Sequence, residues 1–224
     1  LRNVTTGTIT TMLLKKGIRH SWMAGAMPFG FSGKRVVGKA FTLRFVPVRE
    51  DLATPESWSK PISTRSAIEA MPEGCVVVAD AMGVTGAGIF GDILCMRMVK
   101  RGVSALITDG VMRDKHGVVA TNLPVWCAGV AAPASVNQLT FVSWNEPIGC
   151  GGTAIFPDDI IVADDDGAVV IPAALVDFVA NEGAEHELPE SWLVQEVEKG
   201  EKLPGLYPPN EENKKRYEEW KKKR

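Results

Sequence analysis

The feature that most constrains this chain is a pair of short apolar runs, Cys75 to Ala79 and Val103 to Thr108, with one helical stretch between them and a polar segment after each. Runs of this length and character read as buried strands. The first leads into Gly-Ala-Gly-Ile-Phe-Gly-Asp, Gly86 to Asp92, and the second into Asp-Gly-Val-Met-Arg-Asp, Asp109 to Asp114. If the two strands are neighbours in a sheet, both segments emerge side by side. Asp92 then meets Arg113 and Asp114 across twenty intervening residues.

The rest of the pattern predicts an α/β layout with many short strands in the middle. Thr5 or Thr6 caps a first amphipathic helix that ends at Lys15, Lys16 and Gly17. Val36 to Val48 reads as a strand, and Ser63 to Met71 as a short helix broken by Pro72 and Gly74. Ile93 to Arg101 reads as a helix with Leu94, Cys95, Met98 and Val99 on its inner side. Short strands are predicted at Val125 to Cys127, Leu139 to Trp144, Asp159 to Ala163 and Ala168 to Ile171. Helices follow at Ala173 to Glu185, Glu190 to Lys199 and Asn210 to the end, the last held away from the main body by Gly-Leu-Tyr-Pro-Pro, Gly205 to Pro209. A chain of 224 residues suits one large core with a terminal extension, which we divide at 1–186 and 187–224.

Composition removes several classes of function. With 25 basic and 27 acidic residues the formal charge is −2, so no global positive field draws the chain to nucleic acid. The C-terminal lysines and arginines are interleaved with Glu211, Glu212, Glu218 and Glu219, as on a solvated helix face. No apolar run reaches the roughly 20 residues that span a bilayer, and no secretion signal is visible. Cys75, Cys95, Cys127 and Cys150 stand singly among apolar residues, which predicts reduced core thiols in a cytoplasmic protein.

A carboxylate pair with one arginine can hold a hard cation and neutralise a developing oxyanion. The plain alternative for Arg113 and Asp114 is a surface turn with a local ion pair of little worth. Gly86, Gly88 and Gly91 also spell the outline of a dinucleotide fingerprint, G-x-G-x-x-G. Ala81 to Thr85 separate those glycines from the strand, however, whereas the fingerprint needs its turn close to the strand end. The exposed amides of Ile93 and Leu94 at a helix start can still bind a carboxylate or phosphate. His20, His116 and His186 lack ligand spacing, although His116, close to Asp114, could line the same pocket. The run Asp164 to Asp166 before Gly167 reads as a hairpin turn rather than a calcium loop. Ser104 and Ser143 lack the surroundings of a hydrolase nucleophile, and the six tryptophans show no stacking period.

Three segments carry a resemblance: Gly91 to Leu94, Arg101 to Asp114, and Phe-Pro-Asp-Asp-Ile-Ile-Val-Ala-Asp-Asp-Asp-Gly-Ala-Val-Val-Ile-Pro from Phe156 to Pro172. They closely resemble the RraA-like family, over about residues 3 to 180. That family includes the class II 4-hydroxy-4-methyl-2-oxoglutarate and 4-carboxy-4-hydroxy-2-oxoadipate aldolases. The resemblance implies a swivelling β/β/α sandwich with a helical C-terminal extension, assembled as a homotrimer or homohexamer with the site at a subunit interface. It further implies a lyase that cleaves or decarboxylates a small α-keto acid through an enolate, without nucleic acid or membrane as partner. Asp114 would ligate magnesium or manganese, Arg113 would bind the keto and carboxylate oxygens, and Asp92 would position a water as general base. Gly91 and the amides of Ile93 and Leu94 would hold the substrate carboxylate. The family pattern places an acid three residues after Asp114, where Gly117 stands here. RraA itself binds and inhibits ribonuclease E, keeps the Arg-Asp pair and lacks the acid matching Asp92. A non-catalytic regulator of a ribonuclease or helicase is therefore the alternative, and the presence of Asp92 favours the enzyme.

Overall fold

The computed structural model describes residues 1–222. Helix α1 (Thr6–Lys15) starts where the Thr5 hydroxyl accepts the Thr8 amide at 3.1 Å, and stops before Gly17, whose φ of 86° breaks the helical ladder. Strands β1 (Met27–Pro28) and β2 (Val36–Pro47) follow. Helix α2 (Thr64–Ala70) is capped by Ser63, whose hydroxyl accepts the Ser66 amide at 3.2 Å. The middle of the chain alternates: β3 (Val76–Asp80), α3 (Asp92–Lys100), β4 (Ala105–Thr108), α4 (Lys115–Ala120), β5 (Val125–Cys127). Strands β6 (Leu139–Trp144), β7 (Ile148–Cys150), β8 (Thr153–Ile155), β9 (Ile160–Asp164) and β10 (Gly167–Ile171) come next, then helices α5 (Val176–Glu198) and α6 (Glu211–Lys222).

The main sheet runs β1-β5-β4-β3-β2-β9-β10, with β6 also paired to β2. Strands β2, β3, β4 and β5 are parallel, with Val76 opposite both Ala40 and Ala105 and with Leu106 opposite Val125. Strand β2 serves three partners along its length. Val36 to Lys39 pair antiparallel with β9, Ala40 to Arg44 parallel with β3, and Leu43 to Pro47 antiparallel with β6.

The two-residue period of the strands divides the core. Val77 and Ala79 face a cluster that includes Ile68, Cys95, Met98 and Val118 of α2, α3 and α4. Val76 and Val78 face the opposite way, onto Ile148, Cys150, Ile155, Ile161 and Val170. Burial on both faces is why the β3 and β4 runs are apolar without alternation. A third cluster joins Val162, Val169 and Ile171 to Ile9, Met12, Leu13 and Val179 of α1 and α5. The result is strand layer on strand layer with helices outside, the β/β/α arrangement expected above.

Several elements depart from the sequence expectation. The C-terminal helices predicted at 173–185 and 190–199 are one helix, α5, with Pro189 inside it. Proline removes a single i to i−4 hydrogen bond; the flanking turns are held independently, by α1 on one side and α6 on the other. Strands β1, β7 and β8 and helix α4 are too short to carry a periodic signal. The acidic run does form a hairpin turn: Asp164 pairs with Gly167 across Asp165 and Asp166. The Asp164 carboxylate is buried and accepts the Thr6 amide at 2.9 Å and the Thr6 hydroxyl at 2.6 Å, tying that hairpin to α1. Among the described residues no helix is long and apolar enough to cross a membrane.

Candidate active site

After β3 the chain does not turn directly into α3. Residues 81 to 91 run beside the segments that follow β4 and β5 and extend the sheet's pairing beyond the strand ends. The Gly88 amide donates to the Pro133 carbonyl and the Ile89 amide to the Val111 carbonyl, both at 2.9 Å. The Arg113 amide donates to the Phe90 carbonyl at 3.0 Å, and the Met112 amide to the Gly129 carbonyl at 3.0 Å. Gly88 is thus bridged on both sides, by Val111 and Ala134. A Cβ there would lie 2.8 Å from the Arg113 Cβ, so only glycine permits this approach. This ladder is what brings the start of α3 to Arg113 and Asp114.

Asp109 anchors the arrangement. Its buried carboxylate accepts the amides of Ala81 at 2.8 Å, Gly83 at 3.1 Å and Gly151 at 3.1 Å. The sequence shows Asp109 only as half of an Asp-Gly turn; its placement directly after an apolar strand was the available signal for a buried role. Asp114 takes the left-handed conformation, with φ 53° and ψ 47°, which few residues other than glycine, asparagine and aspartate accept. That turn sets its carboxylate against Gly91, where any Cβ would collide with Oδ2. Arg113 Nε donates to Asp114 Oδ2 at 3.2 Å. With side chains 37% and 44% exposed, the pair adds little stability but both groups reach solvent in the pocket. The rest of the Arg113 guanidinium has no acceptor among the described residues.

Asp92 opens α3, where a negative charge suits the positive end of the helix dipole. Its Oδ1 accepts the Ile93 amide at 2.7 Å, so the side chain must turn off that amide before a ligand anion can take it. The other face of Asp92 lies against α4: a Cβ on Gly117 would sit 2.7 Å from the Asp92 Cβ. Asp92 therefore fills the space in which the resemblance places a further acid.

Gly91, Asp92, Ile93, Leu94, Arg113 and Asp114 all line one cavity of about 300 Å³. That volume is at the small end for ligand sites and has room for a small organic acid. The same cavity is also lined by Trp58, Thr64, Arg65, Ala134 and Ser135, which sequence reasoning did not identify. His116 is exposed on α4 and is not among the lining residues. The three glycines of the fingerprint outline are explained by close packing instead: Gly86 against Gln138, Gly88 against Arg113 and Gly91 against Asp114. Among the described residues no group of three or more His, Cys, Asp and Glu gathers as a metal site. A cation at Asp114 would meet one carboxylate and complete its shell from water and ligand, a mode that suits magnesium. All four cysteines are free and buried; burial raises the Cys75 thiol to about 11 and the Cys95 thiol to about 12.

Residues 6–170 match the family described as RraA-like: Aldolase/RraA. Among solved structures, RraAS2 of Streptomyces coelicolor, described as an unusual member of the RNase ES inhibitor RraA protein family, superposes with a TM-score of 0.76. The two are 33% identical over 86% of this chain and 92% of that one. A protein of Halalkalibacterium halodurans with the provisional name 4-hydroxy-4-methyl-2-oxoglutarate aldolase is 39% identical over 104 residues, 46% of this chain and 49% of its own length. DlpA of Legionella pneumophila is 28% identical over 171 residues, 76% of this chain and 27% of its own length. The matched region is thus half or less of either relative.

Proposed function

Because the chain belongs to the RraA-like (Aldolase/RraA) family, we propose that the cavity at the start of α3 is the site of a divalent-metal-dependent carbon–carbon lyase acting on a small 2-oxo acid. The observation that supports this most is the convergence of Asp92, Arg113, Asp114 and the first amides of α3 on that one cavity.

Asp114 is the residue that would hold Mg²⁺ or Mn²⁺. Its carboxylate is a hard oxygen donor, half-exposed on the cavity, and Gly91 keeps the approach to Oδ2 clear. When bound, the ion supplies Lewis-acid stabilisation of the negative charge that bond breaking leaves beside the ketone. The free N–H edges of Arg113 bind the keto and carboxylate oxygens of the substrate and stabilise the same charge. The Leu94 amide, and the Ile93 amide once Asp92 has turned, hold the carboxylate at the helix start. Asp92 acts through a water. In retro-aldol cleavage it removes the proton of the hydroxyl group, the carbon–carbon bond breaks as that group becomes a carbonyl, and the electron pair passes to the enolate of pyruvate or a similar keto acid. In decarboxylation it returns a proton to the enolate after carbon dioxide has left. The same reading includes a cytoplasmic homotrimer or homohexamer that needs no nucleic acid. Four reduced, buried thiols support the compartment, and the exposed apolar Ile93, Met96, Val119 and Val130 support subunit contact beside the site.

The test is pyruvate release from oxaloacetate and from branched 4-hydroxy-2-oxo diacids, with magnesium and with chelator. Turnover is expected to vanish with chelator and to fall by on the order of a hundredfold or more in Asp114→Ala. Metal-independent turnover, or an Asp114→Ala variant as active as the parent, would overturn the mechanism. Similarity to RraAS2 favours a second reading, a non-catalytic regulator that binds a ribonuclease or helicase. Absence of turnover together with retention of a ribonuclease by the immobilised chain would decide for it.

A further inference from the structure

The lining of this cavity includes a second arginine, Arg65. Arg65 lies in the first turn of α2, and its guanidinium carbon stands 4.9 Å from the centre of the Trp58 ring. On a helix surface the natural partner for Arg65 is the residue one turn on, Glu69. That carboxylate is already taken: Arg97 of α3 donates to its two oxygens at 2.7 and 2.6 Å. Among the described residues Arg65 has no carboxylate within ion-pair distance. This contact holds the guanidinium over the ring, and among the described residues no hydrogen bond occupies its N–H edges. Those edges are the part of an arginine that grips a carboxylate with two parallel hydrogen bonds. Arg65, Trp58, Thr64 and Ser135 line the same cavity as Arg113 and Asp114.

We propose that Arg65, oriented by Trp58, receives a second carboxylate at the far end of the substrate and so selects dicarboxylic over monocarboxylic 2-oxo acids. The proposal rests on the reading of this cavity as a 2-oxo acid site. In it Arg113 and the start of α3 hold the reacting end, and Arg65 holds the remote end. Arg65 is a specificity residue and takes no part in bond breaking.

The experiment compares 2-oxoglutarate with 2-oxopentanoate by calorimetry in the presence of magnesium, since the two acids differ only by a terminal carboxylate in place of a methyl group. The parent chain is expected to bind the diacid about tenfold more tightly or better, the worth of a charge-assisted hydrogen-bonded pair. Arg65→Met is expected to abolish that preference and leave the monoacid unchanged; Arg65→Lys and Trp58→Leu are expected to retain part of it. Arg113→Met is expected to weaken both acids alike. An Arg65→Met variant that keeps the diacid preference, or that weakens both acids equally, overturns the role given to Arg65. Failure of the parent to bind either acid overturns both this role and the 2-oxo acid reading. An Arg65-dependent diacid preference without pyruvate release from oxaloacetate upholds Arg65 and sinks the lyase alone.

Discussion

A Cβ on Gly117 would sit 2.7 Å from the Cβ of Asp92, closer than real side chains come, so the two positions compete for one volume. Gly117→Ala is therefore expected to cost both stability and activity. Gly117 sits inside α4 without a positive φ, so the gain of about 0.5–1 kcal/mol that alanine brings over a helical glycine is set against a clash with a Cβ that no rotamer change can move. The same methyl group pushes Asp92 from its place beside the cavity. We expect a melting temperature below that of the parent, because α3 and α4 must part to admit the methyl group, with pyruvate release lowered about tenfold or more through the displaced proton-transfer group. Calorimetry and steady-state assay of one preparation check this; unchanged activity would remove Asp92 from the mechanism. At this scale the residue types of the site were readable from the sequence. Asp92, Arg113 and Asp114 are charged groups in the segments that follow two apolar strands, and that contrast is local. The competition between positions 92 and 117 was not readable, because it depends on how α3 and α4 meet.

Between elements, the decisive contacts are those of Asp109, whose carboxylate joins the end of β4 to the segment after β3 and to the β7–β8 turn. Asp109→Ala leaves three amides without their acceptor, the Ala81 amide in the interior. A lost partner for a buried donor costs about 1–3 kcal/mol, so we expect a destabilisation of about 2–4 kcal/mol by urea unfolding. Asp109→Asn retains one acceptor oxygen and is expected to lose less. Since the segment from 81 to 91 positions Gly88 against Arg113, turnover should fall along with stability. A variant as stable as the parent would show that this segment is held by the sheet pairing alone. The strands themselves were legible: β5 and β6 have the predicted bounds, and β3, β4, β9 and β10 are displaced by one or two residues. Strands β1, β7 and β8 were not, since their pairing partners supply what their own sequence lacks.

Across the whole molecule, α5 has two roles. Its first turns, with Val176, Phe178 and Val179, pack on the body beside α1. Its distal half carries α6, through Trp192 5.7 Å from Tyr217 and through the ion pair of Glu196 with Arg216. We propose that the self-sufficient fold comprises residues 1–186 and that 187–224 is an added helical layer. A chain ended after His186 is expected to unfold in one cooperative transition, since the three clusters of the core all lie before that point. A broad, non-cooperative melt would place the second half of α5 within the core structure.

By itself the sequence determined the α/β class, the strands β3 and β4, the first helix with a cap at Thr5 or Thr6, and the polar residues that follow each central strand. These follow from hydrophobic period, capping chemistry and turn residues, all of which act within a few positions along the chain. Tertiary structure alone decided that Trp58 and Arg65 line one cavity with Arg113 and Asp114, that Asp92 takes the space beside Gly117, and that α5 continues through Pro189. Each depends on groups far apart in sequence competing for the same volume or the same hydrogen bond, and no local pattern encodes the outcome of that competition.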